Sequence, residues 1–376
     1  MKIVYCHCSV YNPGGMERVL LNKVRWLAGA GHEVIVVTTD QQGRAPFYAF
    51  PPEVRMEDLD INYSVDNNKP LSQRILSYLR KRCLHRSRLT QLLMAERPDI
   101  TVSLYPSESS FIPDIKDGSK KVLELHFNRY FRLQYGRGGL TGLIDRFRSR
   151  RDVALASRFD RFVVLTEEDR KYWGDMPAIS VIPNAALPMP EVSDCSARRV
   201  IAVGRLDYQK GFDRLIKAWD VVKRSSISDG WRLDIFGQGE WRDMLAGMIA
   251  SRGLSDSVAL RRPTSGIARE YAGSSMLVMT SHFEGFPMVM IEAMSAGLPV
   301  VTFGYKCGPA DIIADGEDGI IVPDGDIEAL AGAMLSLMAD DCRRRAMGQK
   351  ARGVVGRYSE DAVMARWTSL FEDLVK

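Results

Sequence analysis

Short apolar runs alternate with longer amphipathic stretches along this chain, and the series runs twice. The first series begins with KIVYCH (2–7) and a helical stretch near 16–29. It continues through EVIVVTT (33–39), a helix near 71–95, DITVSLY (99–105) and KVLELHF (121–127), then a helix near 141–158 and RFVVLT (161–166), and closes at SVIPNAA (180–186). The second restarts at RVIAVGRL (199–206) and proceeds through RLDIFG (232–237), VALRRP (258–263), MLVMTS (276–281), VVTF (301–304) and GIIV (319–322), with helices between. Near-continuous apolar strands separated by helices specify parallel sheets covered on both faces. Two such series, joined by the Pro-rich LPMPEVSD (187–194), predict two doubly wound Rossmann-like domains. Ligands in such sheets bind beyond the carboxyl ends of the strands, so a shared site falls in the cleft between domains. A length of 376 residues and a hydrophobic content of 45% suit two such cores.

The segment SHFEGFPMVMIEAMSAGLPVV (281–301) is the most informative. Pro287 suits a helix start, and Gly285 permits a tight turn before it. The helix that follows is apolar nearly all round, which predicts burial between layers. Glu284 then lies at the positive end of the helix dipole, and Glu292 lies about two turns in. A buried carboxylate needs hydrogen-bond donors. In VGRLDYQKGFDRLIKAW (203–219), Arg205 and Lys210 leave a strand end just before a helix, which suits a phosphate or diphosphate. In SVYNPGGMERV (9–19), Gly14 and Gly15 let backbone approach a ligand closely. FGQGEW (236–241) departs from GxGxxG at Arg242. That turn is either a tight strand–helix connection or a surface on which Gly237 meets a flat base.

Other candidates have plainer readings. His126 ends a strand where a cleft residue sits; His282 ends another, and His32 reads as a turn residue. Asp58 and Asp60 in EDLDINY read as solvated charge on an edge strand. Cys6, His7 and Cys8 alternate along a strand, which argues against a metal site. The six scattered cysteines read as buried reduced thiols of a cytosolic protein. No signal peptide, transmembrane run or P-loop is visible. The net charge of +4 is uneven, because residues 1–190 are net basic and the rest net acidic. That asymmetry points to an anionic partner for the first half. Nucleic acid is a poor candidate, since the charge is modest and no aromatic-basic motif occurs.

GGMERV, VLT, IPN, VGRLDYQKGFDRLIKAW, GQGE, SHFEGFPMVMIEAMSAGLPVV and DGEDGIIV occur in an order that resembles the retaining glycosyltransferase family 4, with its α/β GT-B fold. The resemblance spans nearly the whole chain and is strongest for bacterial enzymes that build lipid-linked or capsular glycans. It implies an acceptor-side domain at 1–187, a nucleotide-sugar-binding domain at 195–357, and a final helix at 358–376 that crosses back to the first domain. Arg205 and Lys210 would hold the donor diphosphate, and Glu292 would accept from ribose hydroxyls. Glu284 would face the donor sugar, with backbone N–H groups of Gly285, Phe286 and the residues around Pro287 nearby. Gly14 and Gly15 would close over the diphosphate. His126 would contact the sugar near its reacting carbon, and Asn184 and Thr166 would line the cleft. The family's usual Gly-Gly-x-x-E is replaced here by YKCGPAD (305–311).

The resemblance further implies a nucleotide diphosphate sugar as donor, UDP in preference to GDP, and no metal or other cofactor. The acceptor would be a glycan or polyprenyl-diphosphate-linked sugar. The basic stretch at 71–93 and the arginines at 129, 132, 137, 146, 148, 150 and 151 suit an anionic membrane surface. A cytoplasmic chain, peripheral on the inner face of the cytoplasmic membrane, is the expected setting. A soluble sugar or sugar-phosphate acceptor is the alternative within the fold, and a non-catalytic partner subunit is the alternative outside enzymology.

Overall fold

The computed structural model describes residues 1–12, 14–66, 68–133 and 138–376; Arg137 therefore lies outside the described residues. The first half forms seven strands: β1 (Lys2–Cys6), β2 (Glu33–Thr38), β3 (Val54–Asp58), β4 (Ile100–Ser103), β5 (Lys120–Glu124), β6 (Arg161–Val164) and β7 (Ile179–Val181). Its helices are α1 (Gly15–Gly29), α2 (Leu71–Glu96), α3 (Gly139–Ala156) and α4 (Glu167–Tyr172). The second half forms β8 (Arg199–Val203), β9 (Arg232–Phe236), β10 (Val258–Arg261), β11 (Met276–Met279), β12 (Val300–Phe303) and β13 (Gly319–Val322). Its helices are α5 (Phe212–Val222), α6 (Arg242–Ser251), α7 (Ile267–Ala272), α8 (Met288–Ser295), α9 (Pro309–Ile312), α10 (Ile327–Ala339), α11 (Asp341–Ala351), α12 (Val354–Arg357) and α13 (Glu360–Val375).

All pairings within both sheets are parallel. The first sheet runs β3-β2-β1-β4-β5-β6-β7 and the second β10-β9-β8-β11-β12-β13. The strand order reverses between β1 and β4 and again between β8 and β11. Those two switch points open crevices at the carboxyl ends of the strands. The central strands β1, β4, β8 and β11 are buried almost throughout, and all but β4 are mostly apolar, as strands covered by helices on both faces tend to be.

The final helix, α13, packs on the first sheet rather than the second. Val363, Met364, Trp367, Leu370 and Phe371 share a core with Ile3, Tyr5, Val122 and Val163. Trp367 and Phe371 are fully buried, each contributing roughly 1.5–3 kcal/mol of apolar transfer. Ser359 caps this helix by accepting from the Ala362 N–H at 3.3 Å. The chain thus crosses between the sheets twice, and Ala186 on the first crossing bridges to Ser359 on the second.

Two expectations shift. The edge strand is Val54–Asp58, which takes in only the first two residues of EDLDINY (57–63); Leu59 and Ile61, just beyond it, turn inward to the core. The thiols are only half buried: Cys6, Cys195 and Cys307 are inside, whereas Cys8, Cys83 and Cys342 are exposed, and all six are free.

Candidate active site between the two domains

The loop after β8 sets the second domain's cations. Asp207 accepts from the Lys210 N–H at 3.3 Å and closes a one-turn helix over Tyr208–Lys210. Gly211 follows at φ 59°, and a Cβ there would lie 2.3 Å from the Thr280 carbonyl, so the turn demands glycine. The Lys210 stem lies against Gly204, and its Nζ reaches Glu284 Oε1 at 2.6 Å. Ser281 Oγ also donates to Oε1, at 2.7 Å, and Gln209 Nε2 donates to Oε2 at 3.2 Å. Glu284 is buried, and these three donors make its burial tolerable. Arg205 stays 67% exposed, donating to Gln209 Oε1 at 2.7 Å and lying 3.4 Å from Asp207. Its partners among the described residues are one neutral amide and the partly buried Asp207 carboxylate.

Pro287 sits at the N-cap of α8, one residue earlier than a first-turn position. The first-turn N–H groups of an α-helix have no intrahelical acceptors, so they add a positive dipole end beside Glu284. Glu292 faces the first domain. Its Oε1 accepts from Arg18 of α1 at 3.1 Å and its Oε2 from the Tyr271 hydroxyl at 3.4 Å. Burial pushes the Glu292 carboxyl up, and Arg18 only partly opposes this.

The first domain meets this group directly. A Cβ on Gly285 would lie 2.2 Å from the His126 carbonyl oxygen, so the two backbones touch across the cleft. Asn128 Nδ2 donates to the Glu284 carbonyl at 2.8 Å. His126 Nε2 lies 3.0 Å from the buried Glu124. His126, Lys210, Glu284 and Gly285 therefore converge, and Glu292 joins from the next turns of α8. Gly14 underlies the start of α1, where a Cβ would strike the Glu17 carboxylate. Gly15, by contrast, has open space where a Cβ would stand, which leaves room for a ligand.

Other residues singled out in the sequence make structural contacts. A Cβ on Gly237 would lie 1.9 Å from the Gly204 carbonyl, so that glycine packs two strand-end loops together. The Phe286 ring is buried and meets Tyr358 edge-on at 5.5 Å, which leaves only its backbone for a ligand. Asn184 is buried beside Lys23 and Asn22, in a small cavity between α1 and α13. The Thr166 side chain caps α4 by accepting from the Asp169 N–H at 3.1 Å. His282 stacks on Tyr208 at 4.3 Å and contacts Arg214, bracing the Lys210 turn. His32 contacts the terminal amine, and Asp58 accepts from Thr38 at the sheet edge.

YKCGPAD forms an interdomain contact. The Cys307 N–H donates to Glu168 at 2.9 Å, and the Glu168 N–H donates to Asp311 at 3.3 Å. Burial pushes the nearby Asp169 carboxyl up to about 6, despite the donors Arg129 N–H and Trp173 Nε1.

Sequence reasoning passed over Arg18, Gln209, Ser281, Asn128 and Glu124. Arg18 had a signal, standing three residues after Gly15 on the helix that opens at the cleft. Glu124 had another, as a lone carboxylate inside the apolar run KVLELHF.

Comparisons with known proteins agree on the class. Residues 13–186 match the model described as Glycosyltransferase Family 4, and residues 191–354 match Glycosyl transferases group 1. Exopolysaccharide phosphotransferase SCO2592 of Streptomyces coelicolor is 36% identical over 58% of this chain and 24% of its own length. Amylovoran biosynthesis glycosyltransferase AmsD of Erwinia amylovora is 34% identical over 56% of this chain and 62% of its own length. The chain therefore spans less than two thirds of either relative. Lipopolysaccharide core biosynthesis glycosyltransferase LpsE of Rhizobium meliloti is 26% identical over 98% of both chains. Among solved structures, S. aureus TarM with fondaparinux, alpha-GlcNAc-glycerol and UDP superposes at a TM-score of 0.80, with 19% identity over 98% of this chain and 99% of that one. Anabaena HepE with UDP and glucose superposes at 0.76, with 18% identity over 99% of this chain and 100% of that one.

Proposed function

From the premise that the chain belongs to the GT-B glycosyltransferases of the family 4 type, we propose that it moves a hexose or N-acetylhexosamine from a UDP-sugar to a glycan or lipid-linked acceptor. The reading rests on one observation: Lys210 and Glu284 pair beside the α8 N-terminus, against the backbone of His126 in the other domain. A nucleotide sugar presents hydroxyls at both ends and a diphosphate between them. Lys210, Arg205 and the α8 N–H groups suit the diphosphate. Glu292 suits the ribose, Glu284 and His126 the sugar, and Gly15 the close approach of the α1 loop.

Cleavage of the sugar–phosphate bond builds negative charge on the leaving diphosphate. Fixed cations and N–H dipoles stabilise that charge more in the transition state than in the ground state. The acceptor hydroxyl attacks from the leaving-group face and passes its proton to a diphosphate oxygen, so configuration at the sugar carbon is retained. These groups supply the charge compensation without a metal ion, so turnover should persist in EDTA. The names of AmsD and LpsE support a role in cell-surface polysaccharide synthesis, and the UDP in the TarM and HepE structures supports UDP as the nucleotide.

The acceptor side of the proposal places the first domain on the inner face of the cytoplasmic membrane. No described helix is long and apolar enough to cross a membrane. On α2, however, Ile75, Leu76, Tyr78, Leu79 and Leu84 are exposed among Arg74, Arg80 and Arg86. On α3, Leu143, Ile144 and Phe147 are exposed among arginines 146, 148, 150 and 151. Apolar side chains set among cations suit an anionic bilayer surface. Flotation with anionic liposomes at two salt concentrations tests this, and no binding at low salt refutes it.

A thermal-shift screen with UDP, GDP and their sugars, followed by nucleotide release and NMR of the product anomer, tests the transfer. UDP should raise the melting temperature, because a ligand that binds only the folded state stabilises it. Stabilisation by GDP alone corrects the nucleotide, and an inverted product anomer refutes the proposed attack. A protein that no nucleotide stabilises and that releases none refutes the reading as a whole.

A further inference from the structure

Glu124 ends β5 with no exposed surface, on the sheet face that packs against α1 and α13. Lys23 of α1 donates to its Oε1, and His126 Nε2 lies 3.0 Å from the same oxygen. The Lys23 Nζ sits 3.8 Å from the centroid of the Trp367 ring on α13 and 5.9 Å from that of Tyr5. Glu124 Oε2 and the Tyr5 hydroxyl are buried without a hydrogen-bond partner among the described residues. Burial alone would push the Glu124 carboxyl up; the Lys23 ammonium and the hydrogen bonds from Lys23 and His126 outweigh it and hold the group below the ordinary carboxylate range.

A fold does not need such a pair. Replacing a buried ion pair by apolar residues of similar volume is often neutral or stabilising. Here Glu124 stands two residues before His126, whose backbone touches Gly285 across the cleft. We propose that Glu124, charge-balanced by Lys23 beneath the Trp367 ring, is the positioning residue for His126 in the proposed transfer. A carboxylate accepts but does not donate, so the neutral ring carries its proton on Nε2 and presents Nδ1 as an acceptor. A donor-sugar hydroxyl is the group such an edge recognises. Lys23 offsets the carboxylate charge, so orientation is imposed on the ring without adding net charge beside it. The inference rests on the transferase reading for its kinetics but not for its spectroscopy.

The test uses the full chain with labelled histidine. Ring nitrogen NMR, assigned by His126→Gln, should show Nε2–H at His126; an Nδ1–H ring overturns the proposal. The paired variant Lys23→Met/Glu124→Leu should stay folded and lose kcat on the order of 100-fold, with KM for the donor little changed. The pair Lys23→Met/Glu124→Gln should recover most of that loss, because the Gln carbonyl still accepts from Nε2. In a His126→Ala background the Leu pair should add nothing, since it acts through that ring. Undiminished kcat in the Leu pair, or a loss that multiplies with that of His126→Ala, overturns the proposal. If the Leu pair does not fold, the Gln pair decides: lost turnover or an altered tautomer there overturns it. A parent protein that transfers nothing refutes the transferase reading instead, and the ring spectrum still decides the positioning.

Discussion

Lys210→Met isolates the charge at the centre of the proposed site. Methionine keeps the stem that lies against Gly204 and removes only the ammonium. In the folded protein Nζ and Glu284 Oε1 are 2.6 Å apart, with both side chains largely buried. Unit charges about 3 Å apart attract by about 5–6 kcal/mol at an effective dielectric of about 20. Desolvation of the pair takes back most of this. Glu284 also retains Ser281 and Gln209 as donors, so the net cost in stability should be about 1–3 kcal/mol, a fall of several degrees in melting temperature. Turnover should respond far more strongly. Removing one preplaced partner of a developing anion costs about 2.7–4 kcal/mol, or roughly 10²–10³ in kcat. Initial rates of nucleotide release, measured beside thermal melts, separate the two effects. A variant that melts several degrees lower yet turns over within about threefold of the parent would show that Lys210 serves the fold and not the leaving group.

The Glu292→Gln variant removes one carboxylate shared by Arg18 and Tyr271; it should weaken donor binding by about 1.5–3 kcal/mol, read as a higher KM, with kcat falling less. The substitution Gly285→Ala places a Cβ 2.2 Å from the His126 carbonyl; it should separate the domains and cut turnover at least about tenfold, while circular dichroism stays unchanged. Asp169 carries a pH signature. Its carboxyl is held at about 6 by burial against an ordinary value of 3.8, so the folded chain keeps a proton that the unfolded chain releases. Stability should therefore fall by about 3 kcal/mol as pH rises from about 4 to about 6, then level off. Urea melts across that window should show the slope in the parent and its loss in Asp169→Asn; parallel profiles refute the assignment.

The two parallel sheets were legible because their strands are short, apolar and bounded by Gly, Pro or charge, a pattern set locally. The Glu284–Lys210 site was legible for a similar reason: each residue sits where a strand hands over to a helix, and strand ends face the cleft. Arg18 and Glu292 are 274 positions apart, and their contact depends on how two separately folded sheets face each other. Local pattern carries no such information. Gln209 and Ser281 escaped notice because neutral polar side chains in loops resemble solvated ones until a buried carboxylate is seen between them. Gly237 shows the converse limit: the turn was visible, but its close packing against the Gly204 carbonyl, where a Cβ would lie 1.9 Å away, depends on a neighbouring loop that local pattern does not place.

The paired crossings at Ala186 and Ser359 bear on how the molecule opens. The Ala186 N–H donates to the Tyr358 carbonyl at 2.7 Å, so the two connections between halves lie side by side. Two adjacent tethers resist torsion and leave one soft degree of freedom, a book-like swing about the line they define. Along that swing the Arg18–Glu292 latch and the Gly285–His126 contact part together. In the proposed transfer, donor entry and product exit would share that motion, and a crosslink far from the tethers would arrest both.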